Sequence, residues 1–282
     1  MKRQLLAGAA LFCMLGASAT QLFVDYKTIL ETIYKDISGY GIPQKETELI
    51  KNEGGDPTYG QITYEGAAVL LEHLAIDEDT VFYDLGSGTG ALIWQAYLTT
   101  PAKKCVGVEL SETRFKLAKS TEHYAMELAP ACFTFEKEMH KKLKLGQNTW
   151  PAKKTMMFKQ ENMIKTDIKD ARVIFMCATC FPDTLMKTMT ERFAELKDGL
   201  RIATLKQLPP HEDIHLMQTL TLPMTWSKNS PVYIYELDRE RKKHKKDTSG
   251  QECALKHEMQ PLSEAPLALD ESVEEDILAD ED

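Results

Sequence analysis

An acidic residue followed by a glycine-rich loop is the feature of this sequence with the clearest chemical content. Residues 81–90 read VFYDLGSGTG, in which an apolar run leads to Asp84 and three glycines follow at alternate positions. The spacing is G-x-G-x-G, whereas loops that bind dinucleotides have the spacing G-x-G-x-x-G. A carboxylate ahead of the loop would repel a pyrophosphate at the N-terminus of the following helix. The loop is therefore expected to bind a ligand that places a cationic group near Asp84.

A second acid, Glu109, lies at the end of the next apolar run, KCVGVEL. In doubly wound folds a carboxylate at this place accepts hydrogen bonds from ribose hydroxyls. S-adenosylmethionine has a ribose, an α-ammonium and a sulfonium, and it has no phosphate. The two acids together therefore favour S-adenosylmethionine over NAD as the cofactor. The alternative is a glycine turn beside two solvated acids, with no ligand.

Strand-like and helix-like segments alternate along the chain and would position these residues. The segments VFYDL, KCVGVEL, TMMFKQ, RVIFMC and GLRIATLKQL are apolar and strand-like, and ALIWQAYL and DTLMKTMTERFAEL are helix-like. This alternation predicts an α/β fold with a parallel sheet that is covered on both faces. The segments HLMQTLTLPMTW and SPVYIYELD have no helix between them, which predicts an antiparallel hairpin at the end of the sheet.

Upstream of the glycine loop the sequence predicts two helices joined by an irregular segment. Residues 22–37 have helical apolar spacing and end near Gly39, and residues 64–74 form the second predicted helix. Residues 39–63, with Gly-Gly-Asp-Pro at 54–57, are expected to be a loop.

The charge of the chain is distributed unevenly. The 282 residues carry a formal net charge of −9, but the residues from Glu258 onward include ten acids and no Lys or Arg, and the rest carries +1. Such an acidic segment is expected to be disordered. Six cysteines at irregular spacing do not indicate a disulfide framework. Cys177 and Cys180 form a lone CxxC, for which packing is a better interpretation than zinc binding.

The first residues resemble a targeting leader. Residues 1–20 contain two basic residues, an uncharged apolar run, and Ala17-Ser18-Ala19 in a cleavage-like pattern. The run is short for a membrane span. A buried first helix, an organelle-targeting leader and a mis-extended gene start are the alternatives. The predicted organisation is a leader at 1–20, an N-terminal helix and linker at 21–50, a catalytic domain at 51–238, a basic segment at 239–257 and an acidic tail at 258–282.

Several motifs resemble a known family of enzymes. DLGSGTG followed by VGVEL is similar to the class I S-adenosylmethionine-dependent methyltransferases, whose Rossmann-like fold has seven strands. TYGQITYEG resembles the cofactor loop of histone-lysine methyltransferases that lack a SET domain, the disruptor-of-telomeric-silencing family. The segments RVIFMCATCFPDTLMKTMTERFAELKDGLRIATLK and Trp226 with Pro231-Val232 extend this resemblance over residues 50–237.

The resemblance implies a set of site residues that divides into cofactor contacts and a lysine channel. Those implied to contact the cofactor are, from methionine end to adenine, Tyr59, Gly60, Gln61, Ile62, Asp84, Gly86, Ser87, Gly88, Gly90, Glu109, Asn162 and Met163. Those implied to wall the channel for the substrate lysine are Phe181, Trp226 and Tyr235. The structural alternative for each aromatic residue is ordinary core packing.

The chain departs from the family pattern at positions that bear on the substrate. Cys177 and Ala178 stand where the family has an Asn pair, and Ala91 replaces a Gln that contacts the cofactor. The implied reaction is an in-line methyl transfer that depends on alignment. The lysine amine must be neutral to attack, and burial in an aromatic channel disfavours its charged form. The sequence does not require a general base.

The resemblance also implies partners. It implies histone H3 in nucleosomes as the substrate, the nucleus as the compartment and a monomeric enzyme. Two basic stretches, 136–154 and 239–246, are dense enough in lysine to contact the DNA backbone, although a solvated helix face and a charged linker explain them equally well.

Other functions remain open from the sequence. They are methylation of another protein lysine in an organelle, methylation of a small molecule, and a binding module without catalysis. DNA base methylation is disfavoured because the chain has MCATCF after the fourth parallel strand rather than the Asn/Asp-Pro-Pro-aromatic signature.

Overall fold

A computed structural model describes residues 26–122, 124 and 154–241. The predicted leader at 1–20, the acidic tail at 258–282 and most of both basic stretches lie outside the described residues. All helices and strands given below belong to the first of two compact units, which ends at Arg239. No helix in the described part of the chain is long and apolar enough to cross a membrane.

Within the described residues, seven strands form one sheet in the order β3-β2-β1-β4-β5-β7-β6. The strands are β1 (Val81–Leu85), β2 (Lys104–Glu109), β3 (Thr155–Gln160), β4 (Val173–Met176), β5 (Arg201–Thr204), β6 (Ile214–Met224) and β7 (Ser227–Leu237). Strands β1 to β5 pair in parallel, and β7 runs antiparallel to both β5 and β6. The predicted α/β fold, with a parallel sheet closed by a C-terminal antiparallel hairpin, is therefore confirmed.

In the described residues up to Arg239, six helices accompany the sheet. They are α1 (Tyr26–Tyr34), α2 (Gln44–Asn52), α3 (Tyr64–His73), α4 (Ala91–Thr99), α5 (112–122) and α6 (Asp183–Ala194). The prediction that residues 39–63 are irregular was wrong for α2. Only Ile50 of α2 is buried, so the helix has no apolar stripe that sequence periodicity would detect.

Two apolar layers cover the two faces of the sheet. One contains Phe82 and Phe175 with α1, α3 and α4, and the other contains Tyr83 and Ile174 with α6. All five residues of β1 are buried because both of its faces are covered, as its continuous apolar run requires. Burial of each large apolar side chain stabilises the fold by about 1.5–3 kcal/mol, so these layers hold the central strands firmly in place.

The pairing register brings the carboxyl ends of the parallel strands to one edge of the sheet. Asp84 lies beside Gly107 of β2 and Phe175 of β4, and Glu109 lies beside Gln160 of β3. In open α/β sheets, ligands bind in the crevice outside this edge. The structure therefore places both predicted acids where such a fold binds its ligand.

Candidate active site

The glycine loop turns sharply between β1 and α4. Gly86, Gly88 and Gly90 all have positive φ, at 91°, 55° and 84°. The N–H groups of Gly86 and Ser87 donate to the Val108 carbonyl at 2.8 and 3.0 Å, which ties the loop to β2. A Cβ atom on Gly88 would lie 2.6 Å from the Tyr59 ring, so glycine is required there for space as well as for conformation.

Asp84 is buried at the head of this loop, with 4% of its surface exposed. Its Oδ1 atom has no hydrogen-bond partner among the described residues, and neither has the Ser87 hydroxyl. Burial, with a smaller contribution from the nearby Glu109 carboxylate, raises the Asp84 pKa to about 8. An unpartnered buried carboxyl is costly, so a cationic group that binds here would relieve a cost already present in the fold.

Glu109 is also buried, but its carboxylate has partners. Its Oε2 accepts the Gly88 N–H and its Oε1 accepts the Ser111 N–H, both at 2.8 Å. Burial raises the Glu109 pKa, while the Ser111 N–H and the Arg114 guanidinium oppose the rise. Glu109 therefore anchors the glycine loop through the Gly88 N–H, and it also lines a cavity outside this edge of the sheet.

A cavity of about 300 Å³ lies outside this edge of the sheet. The predicted site residues that line it are Tyr59, Gly60, Gly86, Gly88, Glu109, Asn162, Met163, Phe181 and Trp226. A smaller cavity of about 30 Å³ is lined by Tyr59, Gly60, Gly86 and Gly88 as well, together with the predicted residues Gln61, Ile62, Asp84 and Ser87. Residues that are far apart in the sequence therefore line two cavities that share part of their lining.

Two predicted site residues line neither cavity. Gly90 immediately precedes α4. An added Cβ atom at Gly90 would lie 2.4 Å from the Phe158 ring, so the absence of a side chain lets the loop pack closely against Phe158. Tyr235 is buried in the core beneath the sheet, and its hydroxyl accepts the Leu208 N–H at 3.1 Å. The structure does not bring Tyr235 to Phe181 and Trp226 as a third wall.

An amide and an acid of the cavity lining form a polar pair. Asn162 donates from Nδ2 to Glu53 at 2.7 Å, and its Oδ1 accepts the Ile164 N–H at 2.8 Å. Glu53 also accepts a hydrogen bond from Lys165 at 2.9 Å. The bonds from Lys165 and Asn162 lower the Glu53 pKa. The cavity lining therefore includes a carboxylate that stays ionised at neutral pH.

Two aromatic rings of the cavity lining approach the glycines. The Trp226 ring lies against Gly60, where an added Cβ atom would come within 2.3 Å of it, and 46% of Trp226 is exposed. The Phe181 ring lies 3.5 Å from the Cβ position of Gly86. Cys177 also lines the cavity, with its sulfur 4.0 Å from the Gly60 carbonyl oxygen. Burial, followed by the Asp84 charge, raises the Cys177 pKa to about 12, which favours the protonated thiol.

One side of the cavity is formed by residues 39–60, here named the cover segment. It contributes Ile50, Glu53, Gly55, Asp56, Thr58, Tyr59 and Gly60 to the lining. The sequence reasoning missed Glu53 and also Arg114, which lines the cavity from α5. No local motif marks either residue, because each acts on segments far away in the chain.

Comparison with known proteins gives a family match that covers well over half of the chain. The family model described as "Histone methylation protein DOT1" matches residues 42–222. The matched range includes α2 and the cover segment from residue 42 onward, and it ends within β6.

Curated relatives bear one shared name, "Histone-lysine N-methyltransferase, H3 lysine-79 specific". The protein from Drosophila melanogaster is 27% identical over 161 residues, which are 54% of this chain and 8% of that protein. The protein from Caenorhabditis elegans is 33% identical over 54% of this chain and 15% of its own length. The protein from Emericella nidulans is 25% identical over 78% of this chain and 40% of its own. The chain thus spans less than half the length of these relatives.

Solved structures align with this chain more loosely. An RNA methyltransferase from Salinibacter ruber, in complex with S-adenosyl-L-homocysteine, is 20% identical and aligns with a TM-score of 0.43 over 62% of this chain and 91% of its own.

Proposed function

The chain belongs to the histone methylation protein DOT1 family, and from this premise we propose that it transfers a methyl group from S-adenosylmethionine to a lysine ε-amine. The proposed substrate is lysine-79 of histone H3 in the nucleosome, by analogy with the relatives that carry this specificity in their names. The proposed compartment is accordingly the nucleus. The observation that carries the proposal is a buried, unpartnered Asp84 carboxyl beside a cavity lined by the Phe181 and Trp226 rings. Asp84 and Phe181 lie within the range that the family model matches, and Trp226 lies four residues beyond it.

The residues present fit S-adenosylmethionine. Asp84, whose Oδ1 has no partner, lines the smaller cavity together with Tyr59 and Gly60, and an ammonium bound there would supply the missing hydrogen-bond donor. The Ser87 hydroxyl is a second unpartnered polar group in the same cavity. No phosphate-binding lysine or arginine follows the glycines within the loop, in keeping with a cofactor that has no phosphate.

Each part of the cofactor has a proposed partner. Asp84 and the Tyr59–Gly60 backbone would hold the methionine part, and Glu109 would hold the ribose. Asn162 and Met163 would hold the adenine, with Met163 offering a thioether contact in place of a stacked ring. When bound, the cofactor supplies an electrophilic methyl group on its sulfonium.

The chain's own residues would then desolvate and align the lysine. A free lysine amine has a pKa of about 10.4, so most of it is charged at neutral pH. Trp226 and Phe181 would cover the bound lysine side chain, and the loss of hydration there would favour the neutral amine. Since displacement needs no covalent intermediate on the protein, the task of these rings is to hold the amine in line with the methyl group.

Histone methylation is tested with labelled cofactor and three substrates. We expect methyl transfer to intact nucleosomes and weak transfer to an H3 peptide, because a lysine on a folded histone surface must be presented by the whole particle. Nucleosomes that carry arginine in place of lysine-79 of H3 should accept no label. Label on other proteins of a whole-cell extract, with none on nucleosomes, would mean that the substrate is a lysine of another protein and not of the histone. Label on small molecules alone would exclude a protein substrate.

Contact with nucleosomal DNA through residues 136–154 and 239–246 is part of the proposal, and most of these residues lie outside the described part of the chain. Lys154 is described, and its ammonium donates to the carbonyls of Tyr97 and Thr100 at 2.5 Å, which caps the end of α4. Lys154 therefore serves the fold. In the nucleosome assay, neutralising Lys242, Lys243, Lys245 and Lys246 should weaken binding and flatten its salt dependence while cofactor affinity stays unchanged.

A further inference from the structure

The cover segment is attached to the rest of the protein by hydrogen bonds that involve side chains. Among backbone–backbone hydrogen bonds that join described residues, those of residues 39–60 stay within the segment, as between Gly55 N–H and the Ile50 carbonyl. Its one helix, α2, buries only Ile50. A segment with so little backbone pairing and apolar burial would open easily unless side chains held it.

Arg114 of α5 is the side chain best placed to hold it. Its Nε donates to the Gly39 carbonyl at 3.0 Å and its Nη2 donates to the Pro57 carbonyl at 2.6 Å. Its guanidinium carbon lies 4.8 Å from the centre of the Tyr59 ring. One buried cation thus contacts both ends of the cover segment, and only the fork of an arginine reaches partners in such different directions.

Glu46 of α2 makes a second attachment to the same helix. Its carboxylate accepts the Ser111 hydroxyl at 2.5 Å, the Thr113 hydroxyl at 2.5 Å and the Thr113 N–H at 3.1 Å. These groups lie at the start of α5, where free N–H groups need acceptors and the helix dipole favours an anion. Burial acts to raise the Glu46 pKa, but the bonds from Ser111 and Thr113 and the Arg114 charge hold it below its usual value.

The attachment determines where Tyr59 lies. The Tyr59 hydroxyl is 3.0 Å from the Thr89 hydroxyl, and its ring covers Gly88. Arg114 is the only basic residue among the described residues that line the larger cavity. Removing it would leave two carbonyls without their donor and Tyr59 without its cation.

We propose that Arg114, supported by Glu46, is a positioning residue that fastens the cover segment over the cofactor cavity and so sets cofactor affinity. This proposal rests on the proposed function for the identity of the cofactor, but the fastening itself belongs to the free protein. Arg114 does not touch the reacting atoms, so turnover at saturating cofactor should change little. The predicted signature is a large rise in KM for S-adenosylmethionine with a small change in kcat.

The test compares Arg114→Met and Arg114→Lys with a matched control, Arg239→Met. Arg239 also donates to two backbone carbonyls, those of Ala194 and Leu196, and neither residue lines the cavity. Hydrogen exchange of residues 39–60 is measured without cofactor, and the dissociation constant for S-adenosylmethionine is measured by calorimetry.

In Arg114→Met, exchange within residues 39–60 should rise at least about tenfold, and the dissociation constant should rise about thirtyfold because two hydrogen bonds are lost. Arg114→Lys should restore only part of the protection from exchange and only part of the cofactor affinity, because one ammonium cannot reach both carbonyls at once. Arg239→Met should leave exchange in the cover segment and the dissociation constant as in the wild type.

Three results would overturn the proposal. The first is unchanged hydrogen exchange and unchanged cofactor affinity in Arg114→Met. The second is an increase in exchange in β1 and β4 of Arg114→Met that equals the increase in the cover segment. The third is full recovery of exchange and affinity in Arg114→Lys, which would mean that the positive charge matters and the contact with two carbonyls does not. A wild-type protein that fails to bind S-adenosylmethionine, with exchange behaving as expected, would instead reject the proposed cofactor and leave the fastening intact.

Discussion

The two sides of the cavity are built in different ways. On the sheet side, Asp84 and Glu109 lie at the ends of buried parallel strands, and the glycine loop is tied to β2 by backbone hydrogen bonds. On the other side, the cover segment is fastened mainly by the side chains of Arg114 and Glu46. The sheet side has two apolar layers behind it, and the cover segment has one buried helix residue.

This difference separates two tasks. The sheet side can hold a buried, unpartnered carboxyl because the strands around it are too well packed to rearrange. The cover segment can open for a ligand, because breaking a few side-chain contacts leaves the core intact. Chemical recognition should therefore depend on the strands, and the tightness of binding should depend also on the cover segment.

The largest effect is expected from the sheet side, in Asp84→Asn. This change keeps the shape of the side chain but removes the anion, so affinity for S-adenosylmethionine should fall at least about a hundredfold. Calorimetry measures the affinity, and thermal unfolding of the free protein provides the control. A variant that binds as tightly as the wild type would mean that Asp84 does not face the cationic group.

The same variant has a predicted pH signature. The Asp84 pKa is about 8 in the folded protein and near its ordinary ~3.9 in the unfolded chain. The folded state therefore holds a proton that the unfolded state has lost, so this group's contribution makes stability fall as pH rises from about 4 to about 8. Asp84→Asn should remove this decrease in stability.

The cofactor affinity of the wild type should rise with pH up to about 8, because the cation binds the ionised carboxylate. An affinity that does not depend on pH would contradict this prediction.

A smaller effect, on turnover, is expected at the aromatic residues of the cavity lining. Trp226→Ala should lower kcat about thirtyfold through poorer alignment of the amine, with cofactor affinity nearly unchanged. Tyr235→Phe is the matched comparison, because its hydroxyl only accepts the Leu208 N–H in the core. That variant should keep full turnover and lose about 1 kcal/mol of unfolding free energy. Equal turnover in both variants would show that Trp226 only packs.

The smallest effect is expected where the two sides meet, at Gly88. Gly88→Ala and Gly199→Ala both place alanine at positive φ, 55° and 79°, and each should cost about 1 kcal/mol of unfolding free energy or more, with the larger cost at Gly88. A Cβ atom meets nothing within 4 Å at Gly199 but meets Tyr59 at Gly88. Only Gly88→Ala should therefore also weaken cofactor binding, by about tenfold. Equal affinity in the two variants would mean that Tyr59 moves aside without consequence.

Much of the fold and the sheet side of the site were predictable from sequence. The alternation of apolar strands and helices predicted the parallel sheet and its hairpin, and the glycine spacing predicted the loop, whose three glycines all have positive φ. The cover segment was not predictable in the same way. Helix α2 has one buried residue, and the partners of Glu46 lie 65 and 67 positions away in the chain.

The sequence by itself determined the features that depend on neighbouring residues: strand and helix periods, the acid at the end of β1, and the turn that only glycine adopts easily. The tertiary structure decided which side chains meet. It left Asp84 without a partner, gave Glu109 two backbone donors, buried Tyr235 in the core and joined Arg114 to Gly39 and Pro57. Local preferences act over a few residues, whereas these contacts join positions as far as 75 apart and exist only once the sheet and its helices have packed.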